Sequence, residues 1–285
     1  MNLAQTLVNG ILIGGVFALV AVGLTLIFGV MDVINFAHGS FVMVGMYVAF
    51  FVWSIVGLDP LAAIPIDAAI LAAGGWLAYR VVVKPMTGKT PLAQIVGTFG
   101  MLVLLEGGAQ LLFTPNSRAV AHPLASELRF VVGGLVVGGP QLAGFLGAII
   151  CTGMLALFVN KTETGNALRA TGEDRVAASL MGVNAQRMHA LAWMLGIGCT
   201  GVAGALLVNS YSITPDAGQT FGLIAFITVA LGGFGSILGA GIAGVSLGVI
   251  QGVVGLYAAQ YSLVAIVALY LVVVLIRPQG LLGSR

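Results

Sequence analysis

The segment MDVINFAHG, residues 31–39, sets Asp32, Asn35 and His38 at three-residue steps between two apolar runs. Polar groups at membrane depth must face a cavity or a partner. On one continuous helix the three would share a face. Alternatively, Gly29 and Gly39 bracket a break whose freed backbone groups need polar surroundings, a device that recurs beside transported solutes. A short turn capped by Asp32 or Asn35 is a third reading. Glu106 stands alone in MLVLLEGGAQLLF, where it would line a path, meet a solute ammonium or bond another helix. A second candidate break is LGGFGSILG, residues 231–239, centred on Gly233, Gly235 and Ser236.

Other chemistry is missing from the pattern. TGKT at 87–90 resembles the end of a phosphate-binding loop, but that loop needs glycine where Val83 stands. His38, His122 and His189 lack metal-ligand spacing. Cys151 and Cys199 sit inside apolar runs and read as small packing residues. No hydrolase elbow or zinc-protease motif is present. The expectation is a protein that is not an enzyme, with no cofactor, no metal and no nucleic-acid partner.

The chain is 59% hydrophobic and 7% charged, too apolar for a soluble surface. Its apolar runs are continuous rather than alternating, which excludes a transmembrane β-barrel. Forty-two glycines suit close-packed membrane helices. The expected fold class is all-α, a polytopic transmembrane helix bundle of about 8–10 spans with a short cytoplasmic helix. Spans are placed near residues 5–30, 36–57, 61–83, 91–113, 136–159, 188–209, 217–233, 236–256 and 258–276, the first a retained span rather than a signal peptide. Small residues recur every fourth position at Gly244, Gly248 and Gly252, at Gly196, Thr200 and Gly204, and at Gly10 and Gly14. These ladders predict close backbone seams. The whole chain, 1–285, reads as one transmembrane domain, with an outer loop at about 114–135 and a charged loop at about 161–187.

That charged loop is the exception to the composition. It holds four basic residues (Lys161, Arg169, Arg175, Arg187) and three acidic ones (Glu163, Glu173, Asp174). With Arg80, Lys84 and Lys89, and with Arg277 and Arg285, these basic groups obey the positive-inside rule if they face the cytoplasm. The N-terminus is then outside. Thr171 and Asp174 read as a capping box after a turn from Glu163 to Ala170, with Gly182 as the helix stop. Val176, Ala177, Leu180 and Met181 share one face of the helix between them, which suits a groove on a partner or, failing that, the bilayer surface.

Three stretches resemble one family in the same order along the chain. TGNALRATGEDRVAASLMGVNAQRMHALAWMLG resembles the cytoplasmic coupling loop of the permeases of bacterial ABC importers for branched-chain amino acids. GLTLIFGVMDVINFAHGSFVMVGMY and ALGGFGSILGAGIAGVSLGVIQG resemble two further characteristic segments, and RPQGLLG their ending. The chain most resembles the LivH type. The resemblance implies an inner-membrane, multi-pass permease with a cytoplasmic C-terminus, working with two ABC ATPase subunits, a second related permease and a periplasmic binding protein. It implies ATPase coupling through Arg169, Glu173, Asp174, Ala177, Leu180 and Gly182. Asp32, Asn35, His38, Glu106, Gly233, Gly235 and Ser236 are the candidate translocation path. The family has a neutral amide near Glu106, so that residue departs from its pattern. The rival reading is a self-sufficient secondary transporter or channel.

Overall fold

The computed structural model describes residues 3–121, 123–277 and 279–283; His122 and Arg285 lie outside the described residues. Among the described residues seven helical stretches are long and apolar enough to cross a membrane. They are α1 (Leu3–Met31), α2 (His38–Val56), α3 (Pro60–Met86), α4 (Pro91–Phe113), α5 (Gly139–Lys161), α8 (Ala185–Leu207) and the stretch Ile237–Ile276. Between α5 and α8 lie the short helices α6 (Glu163–Glu173) and α7 (Arg175–Leu180). The apolar helix α9 (Ala217–Gly232), 16 residues long, follows α8.

The stretch Ile237–Ile276 is 40 residues. As one helix it would reach about 60 Å, twice the hydrocarbon thickness. A 3-10 turn at Ala259–Tyr261 divides it into α10 (Ile237–Ala258) and α11 (Ser262–Ile276). The two pack together through Ala243, Leu247 and Ile266, with Ile227 and Leu231 of α9 in the same cluster. Among the described residues the apolar helices therefore fall on the nine runs read from composition. The expected outer loop is not wholly irregular: it forms an antiparallel hairpin, β1 (Arg129–Val132) and β2 (Leu135–Gly138), turned at Gly133 and Gly134.

The two ends of the bundle are defined by side-chain bonds. At one end the Gln5 amide exchanges hydrogen bonds with the Val136 backbone (2.6 and 2.7 Å), and Asp59 accepts from Leu124 N–H (2.8 Å). At the other end Gly29 of α1 meets Gly172 of α6 and Gly235, while Leu281 and Leu282 N–H donate to the carbonyls of Leu231 and Gly232.

Glycine sets the core of the packing. Lipid provides no hydrophobic drive for helix association, so backbones must approach closely. A Cβ on Gly10 would sit 2.7 Å from the Gly248 carbonyl oxygen, and one on Gly14 would sit 2.6 Å from Val245 Cα. The second ladder packs likewise: Gly196 against Gly23, and Gly204 against Gly45. All three ladders are seams within this chain. Cys199 is buried and Cys151 half-buried, and both are free.

Substitution at a seam should therefore cost more than substitution beside it. Gly248→Leu is expected to lose about 1–3 kcal/mol or more through overpacking. Gly241→Leu, where a side chain meets open space, is expected to be near neutral. Melting temperatures of the purified variants in detergent check the difference.

Candidate functional site

The first break is real, and it lies deep. α1 ends at Met31, and residues 32–37 are not helical. His38, the first residue of α2, bonds through Nε2 to the Val20 carbonyl (2.9 Å). Val20 precedes the end of α1 by eleven residues, or about 16 Å. The non-helical residues before the turn at 36–37, together with the reach of the His38 side chain, span that distance. The chain thus climbs back along α1 before α2 begins inside the bundle. Asp32, with φ 52°, opens the turn and is exposed, so it does not share a helix face with Asn35 and His38. Asn35 is buried and folds back on the chain: its Oδ1 accepts from Ala37 N–H (3.1 Å) and its carbonyl accepts from His38 N–H (3.2 Å). It makes a turn ahead of α2, not a cap, since the cap position is Ala37.

α9 also begins inside the bundle, against the start of α2. Gly39 packs on the backbone of Gly218 and Gly222. Between these two helix N-termini lies Glu106 of α4, which is 7% exposed. Its Oε1 accepts from Ser40 Oγ (3.2 Å) and its Oε2 from Gln219 Nε2 (3.1 Å). Ser40 is the third residue of α2 and Gln219 the third of α9. A helix N-terminus carries partial positive charge and favours a carboxylate. Glu106 meets two of them, with a side-chain donor from each.

Ser40 and Gln219 carry no strong signal in the sequence. They are small or neutral polar residues next to glycines, and only the depth of the breaks gives them meaning. Asp67 was also missed. It is fully buried in α3, and among the described residues neither carboxylate oxygen has a hydrogen-bond partner. A lone acid in the run AAIPIDAAILAAGG was the available signal.

The second candidate break, 233–236, lies at the far end, away from Glu106. Gly233 (φ +98°) packs on Gln279 and Gly283, and Gly235 (φ +82°) packs on Gly29. Ser236 caps α10 by accepting from Gly239 N–H (3.0 Å). The path candidates therefore divide into a deep group (Asn35, His38, Glu106) and a group at the bundle end (Asp32, Gly233, Gly235, Ser236).

The charged loop folds differently from the expected capping box. Thr162 Oγ1 accepts from Gly165 N–H (3.0 Å) and starts α6, so the supposed turn 163–170 is helical. Thr171 lies inside that helix, its hydroxyl donating to the Ala167 carbonyl (2.7 Å). Asp174 is itself the cap: Oδ1 accepts from Val176 and Ala177 N–H (2.8 and 2.9 Å). The earlier threonine won because a helix started at Thr162 uses the whole segment. Gly182 (φ +86°) ends α7 as expected. Ala178 of this helix is buried, whereas Val176, Leu180 and Met181 are 69%, 83% and 85% exposed. Arg169 and Glu173 lie on α6, one helix earlier, with Arg169 donating to Asn166 Oδ1 (2.9 Å).

Residues 6–276 match the family described as branched-chain amino acid transport system / permease component. The chain is 34% identical to the high-affinity branched-chain amino acid transport system permease protein BraD of Pseudomonas aeruginosa, with 98% of this chain and 95% of BraD covered. It is 35% identical to the corresponding permease protein LivH of Salmonella typhimurium, with the same coverage. Among solved structures, a chain of PsaBC from Streptococcus pneumoniae in complex with Fab shares the fold, with a TM-score of 0.51 and 14% identity over 98% of this chain and 93% of that one. The family match, the two relatives and the all-helical membrane bundle agree, and the chain belongs to the permease components of branched-chain amino acid transport systems.

Proposed function

We propose that this chain is the permease subunit of a binding-protein-dependent ABC importer in the bacterial inner membrane. Its solutes are branched-chain amino acids or related small amino acids and amides, and ATP is hydrolysed on two separate subunits. The observation that carries the coupling is the face of α7. A short helix, fixed by the Asp174 cap and the Gly182 stop, holds Val176, Leu180 and Met181 out in the open. Apolar side chains so placed suit a groove on a partner. Ala177 lies on that helix beside them, and Arg169 and Glu173 flank it.

In this reading the charged loop and the C-terminus face the cytoplasm, and the β hairpin faces the binding protein outside. A second, related permease completes the membrane part. ATP-driven closure of the motor pushes on α7, and the bundle switches the side to which it opens. This chain performs no covalent chemistry. A self-sufficient carrier leaves the α7 face without a role. Glu106, held at the meeting of two internal helix N-termini, is the station on the path that meets the solute ammonium.

Leu180→Asp is expected to reduce uptake to background while the subunit still inserts and binds its partner permease, because a charge in a desolvated groove is costly. Radiolabelled solute uptake, with membrane levels followed by immunoblot, checks this, and undiminished uptake would rule out docking through α7. Glu106→Gln keeps the size of the side chain and removes its charge. Uptake of an amino acid is expected to fall about tenfold or more with assembly unchanged. Undiminished uptake by that variant would take Glu106 off the path.

A further inference from the structure

The contact between Ser40 and Glu106 is repeated two turns further on, in aromatic form. Tyr47 stands seven residues beyond Ser40 along α2, and Phe113 seven beyond Glu106 along α4. Seven residues advance a helix by about 10 Å and return it to nearly the same face. The Tyr47 and Phe113 rings stack with centroids 4.6 Å apart, and Phe51, one turn further along α2, meets Phe113 at 5.0 Å. Both helices run toward the end of the bundle that carries the β hairpin. The aromatic layer therefore roofs the deep junction on that side.

Arg118 clasps the roof. Its guanidinium lies over the rings of Phe50 and Phe51, 5.5 and 5.6 Å from their centroids, and donates to the Phe113 carbonyl (2.9 Å). Its backbone exchanges two hydrogen bonds with Ile213 (3.0 and 2.8 Å), which is buried just ahead of α9. One residue thus ties together α2, α4 and the segment that leads into α9. These are the three helices whose Ser40, Glu106 and Gln219 meet below. Arg118 is also a basic residue at the end where the charge pattern leaves few of them.

The closed roof holds two unfavourable features. Thr114, between Phe113 and Arg118, has φ 64°, a region that a β-branched residue rarely enters. Tyr47 is buried, and among the described residues its Oη has no partner, which costs stability. Backbone strain persists where surrounding contacts enforce it, and it gathers at parts that switch. Here the enforcing contacts centre on Arg118. Unlike the glycine seams, rings and a guanidinium can part by side-chain rotation. We propose that Arg118, with Phe51 and Phe113, is the outer gate above Glu106, shut in this conformation and opened when the binding protein delivers the solute. The proposal rests on the importer reading above.

The bridge between Arg118 and Ile213 supplies the test. Beside a hydrogen-bonded antiparallel pair, the next residues, here Ala119 and Ser212, face each other at about 4.5 Å between Cα atoms, within reach of a disulfide. Both are small and exposed. The assembled complex carrying Ala119→Cys and Ser212→Cys is placed in proteoliposomes with binding protein outside and ATP within, and uptake of radiolabelled leucine is measured. Oxidation with copper phenanthroline is expected to cross-link the pair and lower uptake about tenfold or more, dithiothreitol to restore it, and the native complex to be unaffected. Failure to cross-link, or equal uptake in the oxidised and reduced forms, overturns the proposal. Arg118→Gln carries the test if the double variant fails to assemble. Loss of its two cation–π contacts is expected to raise ATP hydrolysis without binding protein about threefold or more, and unchanged hydrolysis overturns the gate. Cross-linking reads the roof and Glu106→Gln reads the station beneath it, so either can fail while the other stands.

Discussion

A helix that begins inside a membrane exposes N–H groups where no water can satisfy them, and this constraint organises the bundle. α2 and α9 both begin this way. Their ends are placed together, so one carboxylate, Glu106, serves both through Ser40 and Gln219. The extended segment that leads to α2 is satisfied as well. Asn35 supplies an acceptor to Ala37 N–H, and Thr98 donates to the Ile34 carbonyl (3.3 Å). Removing α4 would therefore strip partners from both the segment and the two helix starts. The peripheral helix is held less by its apolar surface, much of which is exposed (Leu104, Leu111 and Leu112 among others), than by these polar contacts.

Close backbone contact follows from the same need. Glu106 reaches both helix starts only because Gly39 lets the α9 backbone lie against α2 at Gly218 and Gly222. The Gly10 and Gly14 seam with Gly244 and Gly248 does the same for α1 and α10. The result leaves little slack, because a packed backbone seam has no flexible side chain to absorb a displacement.

What could be read from residue order, and what could not, follows from the range of each interaction. Apolar runs and glycine ladders are periodic and local, so the helices and their seams were legible, as was the Gly182 stop. The Gly133–Gly134 turn between two β-branched runs was a local hairpin signal that went unread. Thr162 and Thr171 are both competent caps, and the segment alone does not say which one starts a helix. The depth of His38 was not legible at all. Nothing in MDVINFAHG says that the chain runs back along α1 before α2 begins, and without that depth Ser40, Gln219 and Glu106 are unrelated residues. Asn35, His38 and Glu106 were found as polar residues in oil, but their partners were not. Asp67 met the same criterion and was passed over.

α1 connects the charged loop with the deep junction. At one end its Gly29 takes the contact of Gly172 from α6, which is directly joined to α7. Eleven residues from that end, its Val20 carbonyl holds His38 at the start of α2. The helix between is continuous, and Leu19 to Leu24 and Ile27 are almost wholly buried. A displacement of α6 therefore has a rigid route to the deep junction, about 14 Å along one helix from Gly29 to Val20. If α7 is the socket of a motor, the force arrives where two helix ends and one carboxylate are the easiest contacts to rearrange, since they are polar, few and shared. The glycine seams, which lack that freedom, would move with α1 as one body.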